Sequence, residues 1–273
     1  MENKKSLSRW LIASDIDGTL NNKLRQLPER NEKAINRFVS LGGHFTLASG
    51  RSPKSMEKHF RRFPIEDTPA VVINGAGLYD FKKNEMIYFS AMSDEGMQLA
   101  VEAAKKFPMV DVIVVAKDII YITGLGLFGN FFVMADKLYH KHIWNIADVP
   151  KENWGKVIFS GDPISISRVK KHFESMEDPD LTLMSSSVCS FEILARNTHK
   201  GTALLKLAEI LGIDKSHTGA IGDYFNDFDM LKSVGVPACC GQAPDELKAV
   251  SEFVACHCNN GAVADFLEYI EKK

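Results

Sequence analysis

Short apolar runs alternate with segments of helical periodicity at both ends of the chain, a pattern that predicts stacked βαβ units on a parallel sheet. In the first part, the pattern predicts strands over residues 10–14, 44–48, 70–73 and 77–81, and helices over 28–41 and 53–62. In the last part, it predicts strands over 191–194, 217–222, 234–236 and 252–255, and helices over 200–211, 227–232, 244–250 and 262–272.

The middle of the chain follows a different pattern. Paired short strands are predicted over residues 110–115 and 119–123, with helical segments over 94–106 and 164–176. We therefore predict an α/β core formed by residues 1–82 and 190–273, with an α+β domain inserted as residues 83–189.

Composition narrows the range of partners. The 273 residues are 45% apolar and 25% charged, as in ordinary globular proteins. A net charge of −2 provides no field that would attract nucleic acid or an acidic membrane, so neither partner is expected. The longest apolar stretch, 110–134, is broken by Asp111, Lys117 and Asp118, and no membrane span is predicted. These data do not predict an oligomeric state.

The cysteines indicate a reducing compartment. There are five, an odd number, without a C-x-x-C pair, and Asp15 and Asp17 interrupt the only early apolar run that could belong to a signal peptide. We expect reduced thiols and a cytoplasmic location. The tight Cys256-His257-Cys258 cluster matches no zinc spacing.

Two carboxylates directly follow the first predicted strand. In the string S-D-I-D-G-T-L at 14–20, strand alternation places Asp15 and Asp17 on one side, and Gly18 permits a sharp turn. The carboxyl edge of an open α/β sheet is where ligands bind. Two acids this close must share a cation or a proton. An isolated Asp-Gly turn would be the alternative interpretation.

Three further segments place polar or charged residues where a predicted strand ends or a predicted helix begins. Ser49 and Gly50 lie between the second strand and a helix, where a hydroxyl and backbone N–H groups suit a phosphate, although Ser49 could be a simple helix cap. Lys200 lies at a helix start, where its ammonium can neutralise a carboxylate and phosphoryl oxygens. The string G-D-Y-F-N-D at 222–227 supplies acids at another strand end.

Together these strings resemble the four motifs of the haloacid dehalogenase superfamily, in order along the chain. The match extends over essentially the entire sequence and favours the Cof-type branch, also through Asn74-Gly75-Ala76. It implies a Rossmann-like parallel-sheet core with an inserted α+β cap of the C2 type. The chain departs from the branch at 241–243, where G-Q-A replaces a frequent Asn-Ala pair, and its late N-x-x-G-V turn reads N-N-G-A-V at 259–263.

The resemblance implies a phosphatase that acts on a small phosphorylated metabolite, with sugar phosphates as the leading class. Asp15 would be the nucleophile that forms an aspartyl-phosphate, and Asp17 the general acid and base. Mg²⁺ would be held by Asp15, the backbone carbonyl of Asp17 and Asp223, with Asp227 as a ligand or support. The predicted phosphate-binding residues are Ser49, Gly50, Lys200 and Asn226.

Three alternatives are compatible with parts of this pattern. A phosphomutase or phosphotransferase would use Asp15 in the same way and pass the phosphoryl group to a hydroxyl. A dehalogenase is disfavoured because carbon–halogen cleavage does not need the acid Asp17. A non-catalytic phosphate-binding regulator gains nothing from a nucleophile beside a proton donor.

The resemblance also implies that the cap closes over the site and selects the leaving group. Aromatic side chains are candidates for this contact, although such residues more often form core. They are Phe128, Phe131, Phe132, Tyr139 and Trp144.

Overall fold

The structure is a computed structural model that describes residues 7–123 and 140–273. Its described strands are β1 (Leu11–Ser14), β2 (His44–Leu47), β3 (Ala70–Val72), β4 (Gly77–Asp80), β5 (Glu85–Phe89), β6 (Asp111–Ala116), β7 (Ile120–Thr123), β8 (His140–Ile143), β9 (Trp154–Ser160), β10 (Leu181–Ser187), β11 (Ser190–Ala195), β12 (Thr218–Gly222), β13 (Val236–Cys239) and β14 (Phe253–Val254). Its described helices are α1 (Glu29–Ser40), α2 (Pro53–Phe60), α3 (Asp94–Lys106), α4 (Pro163–Glu174), α5 (Lys200–Leu211), α6 (Phe228–Ser233), α7 (Asp245–Ala249) and α8 (Ala262–Ile270).

The described chain folds into two compact units. The first comprises residues 7–50, 56–87 and 199–273, and the second residues 51–55, 88–123 and 140–198.

A parallel sheet forms the centre of the first unit. Its strand order is β14-β13-β12-β1-β2, and every neighbouring pair is parallel. Strand β1 is buried along its whole length, as expected for a parallel strand covered on both faces. Ser14 pairs with Ile221 of β12 and with Leu47 of β2, so the chain leaves these three strands at one edge of the sheet.

Helices α1 and α8 pack on each other, and both bury apolar side chains, among them Phe38 and Phe266. The buried amide of Asn31 in α1 donates a hydrogen bond to the Leu20 carbonyl at 2.8 Å and accepts one from the Ala264 N–H at 2.9 Å. This side chain therefore fastens the loop that follows β1 to both helices.

The second unit has a sheet of six described strands in the order β10-β11-β9-β6-β7-β8. Its pairs are antiparallel except β7 with β8. An apolar core joins one face of this sheet to helices α3 and α4, and it includes the fully buried Val114, Phe159 and Phe173. The predicted fold class, a parallel α/β core with an inserted α+β segment, is confirmed.

Several predicted boundaries differ from the structure. Strand β11 pairs with β9 and β10, so the segment predicted as the first core strand after residue 190 belongs to the sheet of the second unit. The strand predicted over 234–236 instead spans Val236–Cys239 and includes Pro237. Proline lacks the N–H that a sheet ladder uses, and the apolar pattern therefore placed this strand too early.

Four of the aromatic candidates for substrate contact, Phe128, Phe131, Phe132 and Tyr139, lie outside the described residues. The fifth, Trp144, follows β8; its side chain is 75% exposed and contacts the His142 ring edge-on. Trp144 is therefore not a core residue of its unit.

Within residues 7–123 and 140–273, no helix is long and apolar enough to cross a membrane.

Candidate active site

Three aspartates meet at the carboxyl edge of the parallel sheet. The Asp15 N–H continues the ladder of β1 by donating to the Ile221 carbonyl at 3.0 Å, and Asp223 follows Gly222 at the end of the adjacent strand β12. One carboxylate oxygen from each of Asp15, Asp223 and Asp227 lies within 4.8 Å of the other two. The structure thus brings Asp15 and Asp223, both predicted as metal ligands, together at this edge.

The turn after β1 is shaped around the Asp223 carboxylate. Gly18 has a φ of +83°, and a Cβ at this position would overlap the carboxylate of Asp223. The next residue, Thr19, donates a hydrogen bond from its hydroxyl to Asp223 Oδ1 at 3.2 Å. Glycine is required here both for the backbone conformation and for the close approach.

Lys200 supplies the positive charge of this cluster. Its side chain is fully buried, and its Nζ lies 2.7 Å from Asp15 Oδ1 and 2.6 Å from Asp227 Oδ1. Burial opposes the charge of Lys200, but the carboxylates of Asp15 and Asp227 outweigh it and raise the pKa of the ammonium. Lys200 is therefore a permanent cation between two acids.

The start of helix α5 fixes Lys200. The Nδ1 atom of His199 accepts hydrogen bonds from the N–H groups of Gly201 and Thr202 at 3.2 and 3.4 Å, and burial lowers the pKa of His199, which favours the neutral ring that can accept them. A Cβ on Gly75 would overlap the His199 carbonyl, so the turn after β3 packs directly on this helix start.

Both oxygens of Asp227 are engaged by the protein. Oδ1 contacts Lys200, while Oδ2 accepts hydrogen bonds from the N–H groups of Asp223 at 3.0 Å and Tyr224 at 3.4 Å. Asp227 thereby holds the loop that presents Asp223.

The electrostatics of the cluster favour an added cation. Burial, followed by the nearby charge of Asp227, raises the pKa of Asp223 to about 6. Burial also raises the pKa of Asp15, against the opposing effect of Lys200. Three carboxylates against one ammonium leave two negative charges when all are ionised, and carboxylate oxygens are hard ligands, so the donor set fits one Mg²⁺.

The predicted phosphate-binding segment at Ser49 and Gly50 follows β2 at the same edge. The Ser49 N–H donates to Val71 at 3.0 Å, and the Ser49 carbonyl accepts from the Asn74 N–H at 3.0 Å. Asn74 is buried with a φ of +53°, and a Cβ on Gly50 would lie 2.6 Å from Asn74 Oδ1. Asn74 thus holds the loop at Ser49 and Gly50. The sequence did not predict this role for Asn74.

The remaining predicted residues are Asp17 and Asn226. Asp17 is exposed in the turn after β1, and its carboxylate is not part of the three-acid group, so its predicted role at the metal depends on its backbone carbonyl. Asn226 is half-buried in a short 3₁₀ turn, Phe225–Asp227.

Sequence reasoning also missed two residues that contact the turn or its acids, Thr19 and Gln242. Thr19 could have been found from its place in the string D-G-T-L, whereas Gln242 is separated from Gly18, which it contacts, by 224 residues.

Comparison with known proteins places this geometry in a family. Residues 12–267 match the family described as haloacid dehalogenase-like hydrolase. A 5-amino-6-(5-phospho-D-ribitylamino)uracil phosphatase of Bacillus subtilis, YwtE, is 27% identical over 286 residues, covering 95% of this chain and 97% of that protein. An HMP-PP phosphatase of Citrobacter koseri is 25% identical over 265 residues, covering 95% and 94%.

Solved structures agree in fold. A haloacid dehalogenase-like hydrolase from Bacteroides thetaiotaomicron has a TM-score of 0.83 at 21% identity, with 96% of this chain and 99% of that chain covered. A sugar phosphatase of HAD subclass IIB has a TM-score of 0.80 at 18% identity, covering 95% and 98%. The predicted resemblance to Cof-type phosphatases is confirmed, and this chain belongs to the haloacid dehalogenase-like hydrolase family.

Proposed function

We propose that this protein is a Mg²⁺-dependent phosphomonoester hydrolase that acts on a small phosphorylated metabolite through an aspartyl-phosphate intermediate on Asp15. The observation that carries the proposal is the cluster at the sheet edge, in which Asp15 lies beside Lys200 and within 4.8 Å of ligand oxygens from Asp223 and Asp227. A purely structural acidic helix start would not require a buried lysine between two of these acids.

In the first step, a carboxylate oxygen of Asp15 attacks phosphorus as the P–O bond to the leaving group breaks. The Lys200 ammonium, 2.7 Å from Asp15 Oδ1, orients the carboxylate and offsets charge on the phosphoryl oxygens. Ser49, Gly50 and Asn226 are proposed to hold the other phosphoryl oxygens. The product is an acyl phosphate on Asp15.

Asp17 is proposed to move the protons. It donates a proton to the leaving oxygen in the first step, then accepts a proton from the water that attacks phosphorus in the second. That attack breaks the bond between Asp15 and phosphorus and releases inorganic phosphate. The carboxylate that the first step leaves on Asp17 is thus the base of the second step, and the proton that it accepts restores the acid for the next turnover.

The metal site is proposed to comprise Asp15, the Asp17 carbonyl and Asp223, with Asp227 as a support because both of its oxygens already accept hydrogen bonds. When bound, Mg²⁺ supplies Lewis-acid stabilisation of charge on the phosphoryl group.

The names of the relatives support a proposal for the substrate class. Two of them are named for a phosphorylated ribitylamino-uracil and for HMP-PP, and a structural neighbour is a sugar phosphatase. We propose a sugar phosphate or a related phosphorylated metabolite as the substrate. A cytoplasmic location, and the lack of nucleic-acid and membrane partners, stay predictions.

The test is release of inorganic phosphate from a panel of phosphorylated sugars, nucleotides and cofactors, with Mg²⁺ and with EDTA. The proposal expects Mg²⁺-dependent release that Asp15→Asn abolishes while the circular dichroism spectrum is unchanged. Turnover retained by a clean Asp15→Asn preparation would remove the nucleophile assignment. Transfer of phosphate to a second hydroxyl without release of inorganic phosphate would favour the phosphomutase or phosphotransferase alternative.

The role of Asp17 is tested by leaving-group ability. Asp17→Asn should slow turnover of an alkyl phosphate by about 10²–10⁴ and that of an aryl phosphate by much less, because the aryl oxygen leaves without a proton. Equal losses on both substrates would count against proton donation by Asp17.

A further inference from the structure

The side chain of Gln242 joins two segments that are far apart in sequence. It is half-buried in the loop after β13, where its Nε2 donates a hydrogen bond to the Gly18 carbonyl at 2.7 Å and its Oε1 accepts one from the Cys258 N–H at 3.0 Å. One amide thus connects the turn after β1 to the turn at Cys258–Asn260.

The loop that carries Gln242 is itself held by backbone hydrogen bonds. The Cys240 N–H donates to Gly222 at 3.0 Å, the Gly241 N–H to Cys256 at 3.1 Å, and the Ala243 N–H to Cys240 at 2.9 Å. The amide of Gln242 therefore acts from a fixed backbone position.

The turn that it contacts lies against the acids. Gly18 lies between Asp17 and Thr19, and only its missing Cβ permits the approach of the Asp223 carboxylate. A glycine in the left-handed region has unusual backbone freedom, so without a contact to its carbonyl the turn would populate other conformations. Displacement of this turn would move the Thr19 hydroxyl, which donates to Asp223.

We propose that Gln242 is a positioning residue of the cation site: it fixes the Gly18 carbonyl and so holds the Asp17–Thr19 turn in the arrangement that binds Mg²⁺ beside Asp223. This inference rests on the proposed function, because it takes Mg²⁺ as the ligand.

The test compares Gln242→Met with Thr218→Val, two nearly isosteric changes that each remove two hydrogen bonds. The Thr218 hydroxyl donates to Lys215 at 2.7 Å and accepts from the Gly235 N–H at 3.1 Å, and Thr218 lies at the opposite end of β12 from Asp223. It is therefore a control for lost hydrogen bonds away from the acids.

Mg²⁺ alone is titrated into each substrate-free protein by calorimetry, and the metal-free proteins are unfolded in urea with EDTA. We expect Gln242→Met to raise the Kd for Mg²⁺ about ten- to hundredfold, the effect typical of residues that orient metal ligands. Thr218→Val should keep the Kd for Mg²⁺ within about twofold of the wild-type value. It should lower the urea midpoint at least as much as Gln242→Met does. Saturating Mg²⁺ should restore most of kcat in Gln242→Met.

An unchanged Kd in Gln242→Met, or an equal rise in both variants, would overturn the positioning role. If the wild-type protein does not bind Mg²⁺, the proposed function fails and this inference fails with it. Should Gln242→Met not fold, Gln242→Asn retains the amide on a side chain one methylene shorter, too short to keep both bonds, and a wild-type Kd in that variant would also overturn the proposal.

Discussion

Two glycines with positive φ angles differ in what surrounds them. Gly18, with a φ of +83°, has the Asp223 carboxylate where a Cβ would be, whereas Gly212, with a φ of +68° at the end of α5, has open space there. Substitution by alanine strains both backbones, but only one of the two changes reaches an acid of the proposed site.

We expect Gly18→Ala and Gly212→Ala each to lose about 1–2 kcal/mol of unfolding free energy from backbone strain. Gly18→Ala should also lose Mg²⁺ affinity and turnover, because the added methyl displaces Asp223. Urea unfolding and calorimetry with Mg²⁺ measure the two effects separately. Wild-type Mg²⁺ affinity in Gly18→Ala would contradict the close packing of this turn.

Lys200 is a buried cation shared by two acids, and its removal should be severe. Lys200→Met leaves Asp15 and Asp227 buried without their ammonium, a change that typically loses about 3–5 kcal/mol. The deficit should be larger at pH 8 than at pH 5, because the raised pKa of Asp15 allows protonation to remove the unpaired charge at the lower pH.

Lys206→Met is the control for that change. Lys206 lies on the same helix, with a side chain 43% exposed and paired to Glu209, and its replacement should alter stability by less than about 0.5 kcal/mol. Urea unfolding at both pH values measures the difference. Equal deficits for Lys200→Met at pH 5 and pH 8 would contradict the electrostatic explanation.

The residues of the site differ in how far the sequence could reveal them. Asp15, Asp223 and Lys200 were predictable, because each directly follows a buried strand or begins a helix at the sheet edge. The contact between Gln242 and Gly18 was not, because it depends on how two loops 224 residues apart fold toward each other. Local pattern identifies which side chains reach the edge, and packing decides which of them support the others.

At the scale of elements, the sequence predicted strands better than their partners. Strand β1 and helix α5 were predicted within one residue, because continuous apolar runs and a clear helix start mark them. The segment around Phe191 was correctly predicted as a strand, but its apolar residues would suit either sheet. Its pairing with β9 and β10 is a long-range choice that periodicity does not encode.

Strands β9 and β11 carry a buried ion pair. Lys156 Nζ lies 3.0 Å from Glu192 Oε2, with side chains only 2% and 7% exposed. Lys156→Met alone should destabilise the protein by about 3–5 kcal/mol, whereas Lys156→Met with Glu192→Leu should be nearly neutral, because the second change removes the charge that the first leaves uncompensated.

A double-mutant cycle by urea unfolding measures this coupling. The exposed pair Lys170 and Glu174 on α4, 3.7 Å apart, is the control and should give about 0.5 kcal/mol or less. Additive losses for Lys156 and Glu192 would show that the two charges do not depend on each other.

At the scale of the whole molecule, charge is nearly balanced overall and unbalanced at one place. The chain has 33 basic and 35 acidic residues, yet three of those acids lie together at the sheet edge beside the buried Lys200, which pairs with two of them. The metal-free protein must therefore hold excess negative charge in a buried position, and a divalent cation relieves it. Stability and metal binding should consequently depend on pH together.

The direction of this pH dependence follows from Asp223. Burial raises the pKa of its carboxyl from an ordinary 3.8 to about 6. Its protonated form favours the folded state, so this contribution to metal-free stability is complete below about pH 4 and is lost as pH rises through 6. Mg²⁺ needs the ionised carboxylate and has the opposite dependence. At pH 5 about one Asp223 in ten is ionised, and burial raises the pKa of the second ligand Asp15 as well, so Mg²⁺ binding should weaken at least about tenfold.

We therefore expect Mg²⁺ to stabilise the protein more at pH 7.5 than at pH 5. At a concentration 100 times the Kd measured at pH 7.5, the gain in unfolding free energy should be about 2.7 kcal/mol at that pH and no more than about 1.4 kcal/mol at pH 5. Thermal unfolding with Mg²⁺ or with sodium chloride of equal ionic strength measures the gain, and Asp223→Asn should abolish most of it at both pH values. Equal stabilisation at pH 5 and pH 7.5 in the wild-type protein would contradict the assignment, because a cation held by Asp223 has to compete with its proton.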